Sequence, residues 1–101
     1  MLGMHEIIYL RADFEPWWML EGWEQEIVSR KGFDTAQQAT SYLEELKQNL
    51  VEQYPQSRAK VPAFYAYWKE GEMEYCEDCE EDLQIYHGLI WLQDGTPIES
   101  I

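Results

Sequence analysis

Asp34-Thr35-Ala36-Gln37-Gln38-Ala39-Thr40-Ser41-Tyr42-Leu43-Glu44-Glu45-Leu46-Lys47-Gln48-Asn49-Leu50-Val51-Glu52-Gln53-Tyr54-Pro55 is the stretch on which the fold turns. Apolar residues recur at Ala36, Ala39, Leu43, Leu46, Leu50 and Tyr54, while Gln38, Ser41, Glu44, Glu45, Gln48, Asn49 and Glu52 occupy the opposite side. Steps of three and four make one helical stripe, packed on one face and solvated on the other. Asp34 suits the N-cap, with Gln37 three residues on as in a capping box. Pro55 ends the run because the residue before proline leaves the α region. The spacing predicts one long helix over about residues 35–54.

The segments on either side read as strands and loops. His5 to Arg11 is apolar at both parities, which suits a central strand covered on both faces. Ala12 to Trp23 holds a dense aromatic cluster bracketed by Pro16 and Gly22 and reads as a structured loop. Residues 25–31 form a second strand ending at Gly32, and residues 56–62 read as a loop. The aromatic run Ala63 to Lys69 is a strand, Glu70-Gly71 a hairpin turn, and Glu72 to Cys76 a strand half in water. Glu80-Glu81-Asp82 can open a short helix near residues 80–87, with Gly88 as its stop. Leu89 to Leu92 is a buried strand closed by Asp94-Gly95, followed by a tail. The expectation is an α+β fold: a mainly antiparallel sheet of about four to five strands packed against one long helix.

With 101 residues, one core is feasible and two are hard to build, so residues 1–101 are read as a single domain. The apolar fraction of 46% is far above that of a chain disordered for want of burial. There is no run of about 18 apolar residues, and Met1 to Glu6 has neither a basic nor an apolar leader region, so a cytoplasmic chain is expected. Cys76 and Cys79 are too close for a disulfide between them to staple the fold, which excludes a secreted disulfide scaffold.

Charge is the most informative property. The net value is −13, from 20 acids and 7 bases, and residues 70–101 carry ten of the acids and none of the bases. Such a field repels nucleic acid and anionic membrane surfaces, so neither is expected to bind directly. It favours cations, metals or a basic protein surface; the plainer reading is that the charge keeps a tryptophan-rich chain in solution.

Ala12-Asp13-Phe14-Glu15-Pro16-Trp17-Trp18 with Glu21-Gly22-Trp23, and Tyr75-Cys76-Glu77-Asp78-Cys79 with Tyr86-His87-Gly88, resemble a family of small acidic Firmicutes proteins catalogued as a domain of unknown function, number 1033. The resemblance covers nearly the whole chain. It implies a bacterial cytoplasmic protein and transfers no catalytic residue.

Two constellations bear on chemistry. Cys76 and Cys79 have the spacing of a zinc half-site, and His87 and His5 are the histidines that would complete it. The same C-x-x-C spacing marks thiol–disulfide exchange, but Glu74, Glu77, Asp78, Glu80 and Glu81 oppose a thiolate there. Two half-buried cysteines that only pack are the plainest alternative. The second constellation is Trp17, Trp18 and Trp23, flanked by Glu15 and Glu21, which suits either core filling or an aromatic interface with an acidic rim. No serine has elbow glycines and no glycine-rich phosphate loop exists, so a conventional enzyme is not expected.

The expected function is a non-catalytic interaction protein that binds a basic protein surface. Trp17, Trp18, Trp23, Glu74, Glu77, Asp78, Glu80, Glu81 and Asp82 are its candidate contacts. A variant of this reading is nucleic-acid mimicry. The alternatives are a zinc-binding protein, with zinc as its one candidate cofactor, a small-molecule-binding or enzymatic role in a carboxylate-lined pocket among the aromatic strands, or self-association as a homodimer through the aromatic surface.

Overall fold

Ile7 and Ile8 are adjacent in sequence and both almost fully buried, at 1% and 0% exposure. In a strand they must face opposite ways, so the sheet containing them has to be covered twice. The computed structural model, which describes residues 4–100, shows how. The reading of the leader region at residues 1–3 and the last residue of the tail, Ile101, lie outside the described residues.

The first strand, β1 (His5–Ala12), lies centrally in an antiparallel sheet. It is flanked by β2 (Ile27–Phe33) and by β7 (Tyr86–Gln93), the longest strand of the C-terminal third. Beyond β7 come β4 (Phe64–Trp68) and the edge strand β3 (Gln56–Lys60), giving the order β2-β1-β7-β4-β3. The two-residue β8 (Thr96–Pro97) folds back on β7 through Asp94 and Gly95, both at positive φ, a turn type that favours such residues. The remaining strands, β5 (Met73–Cys76) and β6 (Glu81–Gln84), pair with each other in a separate two-stranded sheet.

One face of the main sheet packs under the helix α1 (Ala36–Gln53), where Ile7, Leu89, Trp91, Tyr65 and Tyr67 meet Ala39, Leu43 and Leu50. On the other face Ile8, Leu10, Ala12, Ile90 and Leu92 are covered by Phe14, Met19, Trp23 and Ile27. Much of that cover comes from the aromatic segment after β1, which is wound into two short 3-10 turns, Pro16–Trp18 and Trp23–Glu26. The fold is thus α+β, with a six-stranded antiparallel sheet between one helix and one structured loop.

Five sequence expectations shift. Glu70-Gly71 is not a hairpin turn, because β4 pairs with β3 and β7 whereas β5 pairs with β6. The N-cap is Thr35 rather than Asp34: it is the last extended residue, and its Oγ1 accepts from the Gln38 amide at 3.2 Å. Residues 56–60, read as loop, form β3, because pairing with β4 supplies the backbone partners that their polar composition does not advertise. The segment near 80–87 is not a helix: Glu81–Gln84 is β6, paired in register Cys76↔Glu81 to Met73↔Gln84, and Tyr86 already belongs to β7. Acids at exposed positions suit a solvated strand as well as a helix start. Gly32 and Gly88, read as stops, lie inside β2 and β7.

Candidate functional site

Eight of the thirteen residues from Glu70 to Asp82 are acids and none is a base. With acids and apolar residues alternating along β5, no apolar face wide enough to pack on the body results, and Met73 and Tyr75 stay 50% and 59% exposed. The segment therefore leaves the sheet after β4 and returns before β7 as the β5–β6 ribbon. The long molecular dimensions, 48 × 29 × 20 Å, accord with such a projection.

The ribbon is firmly rooted. The Ile85 amide donates to the Glu72 carbonyl at 2.9 Å. The Gln84 side-chain amide reaches the carbonyls of Lys69, Glu72 and Ile85 at 2.9, 3.1 and 3.0 Å. Two side-chain contacts tie it to the body: an ion pair of Arg11 with Glu74 at 2.9 Å, and a hydrogen bond between His87 and Glu72 at 2.8 Å. Glu70, Glu77, Asp78, Glu80, Glu81 and Asp82 are exposed and have no ion-pair partner among the described residues. Beyond the strands, Cys76 and Cys79 are joined by a disulfide, the Cys79 amide donates to Cys76 Sγ at 3.2 Å, and Glu80 holds a left-handed φ of 55°.

Among the described residues His87 is the one buried polar residue, 3% exposed. Its Nε2 faces the Glu72 carboxylate, and its Nδ1 lies 2.6 Å from the Tyr9 hydroxyl. An ionised carboxylate only accepts, which assigns the imidazole proton to Nε2 and makes Tyr9 the donor to Nδ1. Tyr54, the residue capping α1, stacks on the imidazole at 4.0 Å between ring centroids. Burial, then the negative charges of Tyr54 and Glu72, push the Tyr9 hydroxyl above its ordinary range, so it holds its proton.

The zinc set does not assemble. Both ring nitrogens of His87 are engaged, and His87 lies opposite Arg11 in the sheet. His5 lies at the other end of β1, opposite Gln93, and its Nδ1 accepts from Trp91 Nε1 at 3.1 Å. Among the described residues no group of three or more His, Cys, Asp or Glu side chains is placed to hold a metal ion.

The tryptophans have a different setting from the acidic rim expected of them. Trp17 lies against Arg58 and Lys60, at 5.5 and 5.1 Å from its ring centroid, and Lys60 also approaches Trp18 at 5.8 Å. Trp18 is 58% exposed, whereas Trp23 is half-buried in the second core. Lys60 lies opposite Phe64, at the end of β4 away from Trp68, where the ribbon departs. Cationic edge and acidic ribbon are therefore separate features, and the structure does not join all the candidate contacts into one patch. Sequence reading missed Arg11, Tyr9, Tyr54 and Glu72 as ribbon anchors, and Arg58 and Lys60 as tryptophan partners. For the last two a signal existed, since i and i+2 in a strand share a face.

Between the ribbon and the end of β1 lies a cleft of about 250 Å³ lined by Arg11, Asp13, Glu26, Glu74, Tyr75 and Cys76, among others. No helix among the described residues is long and apolar enough to cross a membrane. Neither a curated protein nor a solved structure matches the chain. A family model does match, over residues 4–100, and its description is Protein of unknown function (DUF1033); the chain belongs to that family.

Proposed function

We propose that the protein is a non-catalytic, cytoplasmic interaction protein whose β5–β6 ribbon docks on a basic protein surface. The observation that carries this reading is the ribbon itself: eight carboxylates in thirteen residues, of which Glu74 alone is ion-paired, while Glu72 accepts a hydrogen bond from His87. The hydrogen bonds of Gln84 and the contacts of Arg11 and His87 hold it in one orientation, which lowers the ordering cost of binding. Direct binding to nucleic acid is disfavoured by the same charge. Nucleic-acid mimicry is the sharper form: the spaced carboxylates of the ribbon stand in for phosphates and occlude a DNA-binding site.

The test is affinity capture on the immobilised protein across a salt series, followed by binding measurements with the recovered partner. Neutralising Glu77, Asp78, Glu80, Glu81 and Asp82 to their amides should abolish the interaction, and salt should weaken the native one steeply. Partner affinity insensitive to both would sink the proposal. Displacement of the partner by duplex DNA would support mimicry, and simultaneous binding of both would exclude it.

A further inference from the structure

The two sulfurs at the ribbon tip differ in setting. Cys79 is exposed, whereas Cys76 is half-buried and lines the cleft that also contains Arg11. The backbone amide of Cys79 points at Cys76 Sγ from 3.2 Å. In thiol–disulfide exchange the incoming thiolate attacks the accessible sulfur, and the sulfur better able to carry negative charge leaves. Exposure selects Cys79 as the sulfur attacked. The amide hydrogen bond selects Cys76 as the one released.

We infer that the ribbon tip is a directional thiol–disulfide exchange site, reduced through Cys79 by thiols that are neutral or positively charged. An incoming thiolate forms a bond to Cys79 Sγ as the Cys76–Cys79 bond breaks, and the electron pair of that bond stays on Cys76 Sγ, which then takes a proton. A second thiolate attacks the mixed disulfide at the reductant's sulfur, releasing the oxidised reductant and the Cys79 thiolate. Two thiols are oxidised to one disulfide, and the protein disulfide is reduced to two thiols.

The carboxylates of Glu77, Asp78, Glu80, Glu81 and Asp82 oppose an attacking thiolate at this tip, and that opposition is the source of selectivity. A positively charged carrier offsets the repulsion and is concentrated by the field, while a negatively charged one is excluded. Glu80, next to Cys79, has its backbone in the left-handed region, and breaking the Cys76–Cys79 bond removes the link that closes the turn before it. The tip would then be rigid when oxidised and looser when reduced. This inference does not rest on the partner reading above.

The experiment uses the full chain isolated under oxidising conditions. Reduction by cysteamine and by 2-mercaptoethanesulfonate is followed at low and high salt, with rates expressed per thiolate. Mixed disulfides are trapped by acid and located by peptide mass spectrometry. The expected result is an advantage of about tenfold for cysteamine at low salt, shrinking at high salt and in Glu77→Gln/Asp78→Asn, with the trapped adduct on Cys79. Equal rates, a faster anionic thiol, an adduct mainly on Cys76, or the isolation of a chain with two free thiols would each overturn it.

Discussion

Gly88 has no room for a side chain. A Cβ there would sit 2.9 Å from Pro16 Cβ and 3.2 Å from Leu10 Cδ2, because the first 3-10 turn packs directly onto the middle of β7. Gly88→Ala should therefore cost about 1–3 kcal/mol and shift the turn bearing Trp17 and Trp18. Urea unfolding with tryptophan fluorescence reads both effects, and an unchanged midpoint would contradict the close approach. His87→Phe keeps an aromatic ring under Tyr54 but strips partners from Tyr9 and Glu72. A stability loss of about 1–3 kcal/mol in the same urea unfolding is expected, with a smaller loss on truncating exposed acids such as Glu77. Sequence reading singled out His87 for the wrong reason. Its partners lie 78 and 15 residues away, distances over which local spacing carries no information.

At the scale of elements, what could be read was what depends on local period. The stripe from Ala36 to Tyr54 located α1 to within a residue or two, and both-parity burial in β1 announced a sheet covered twice. The N-cap slipped by one because Asp34 and Thr35 are both good caps and only the backbone decides between them. Strand β3 escaped notice because Gln56 to Lys60 contains a single apolar residue, and β6 because solvated acids look alike in strand and helix. The ribbon adds no buried residue to either core cluster, so it should be dispensable for folding. Replacing residues 73–83 with Asn-Gly, a favoured hairpin turn, should leave a cooperatively folding body. Thermal unfolding by circular dichroism checks this; a chain without a cooperative transition would show that the ribbon supports the core.

For the whole molecule, protonation of the aromatic core matters most. Burial is the first cause that raises Tyr9, Tyr54, Tyr65, Tyr67 and Tyr86 above the ordinary tyrosine value of 10.0. The folded state thus keeps phenolic protons that the unfolded chain would release, and the stability this contributes is complete below the ordinary value. It is lost as pH rises through the folded-state values. Unfolding should set in above about pH 10, with tyrosinate absorbance and loss of circular dichroism rising together. Tyrosines that titrate one by one in an intact fold would refute this coupling. The general acidity was legible in the sequence. That, among the described residues, only Glu6, Glu44 and Glu74 would pair with a lysine or arginine was not, because it depends on where seven bases land after folding.

The central place of β1 also governs the order in which the chain can acquire structure. Its neighbour on one side, β2, follows soon after, but β7 is joined to it in register from His5↔Gln93 to Ala12↔Tyr86. A polypeptide emerging from the ribosome would therefore hold β1 half-flanked until residues 86–93 had been translated. Ile7 and Ile8 would meanwhile lack the hydrophobic neighbours that later bury them. Such high contact order makes for slow closure, with a nascent chain exposed to chaperones and aggregation until the last long strand inserts.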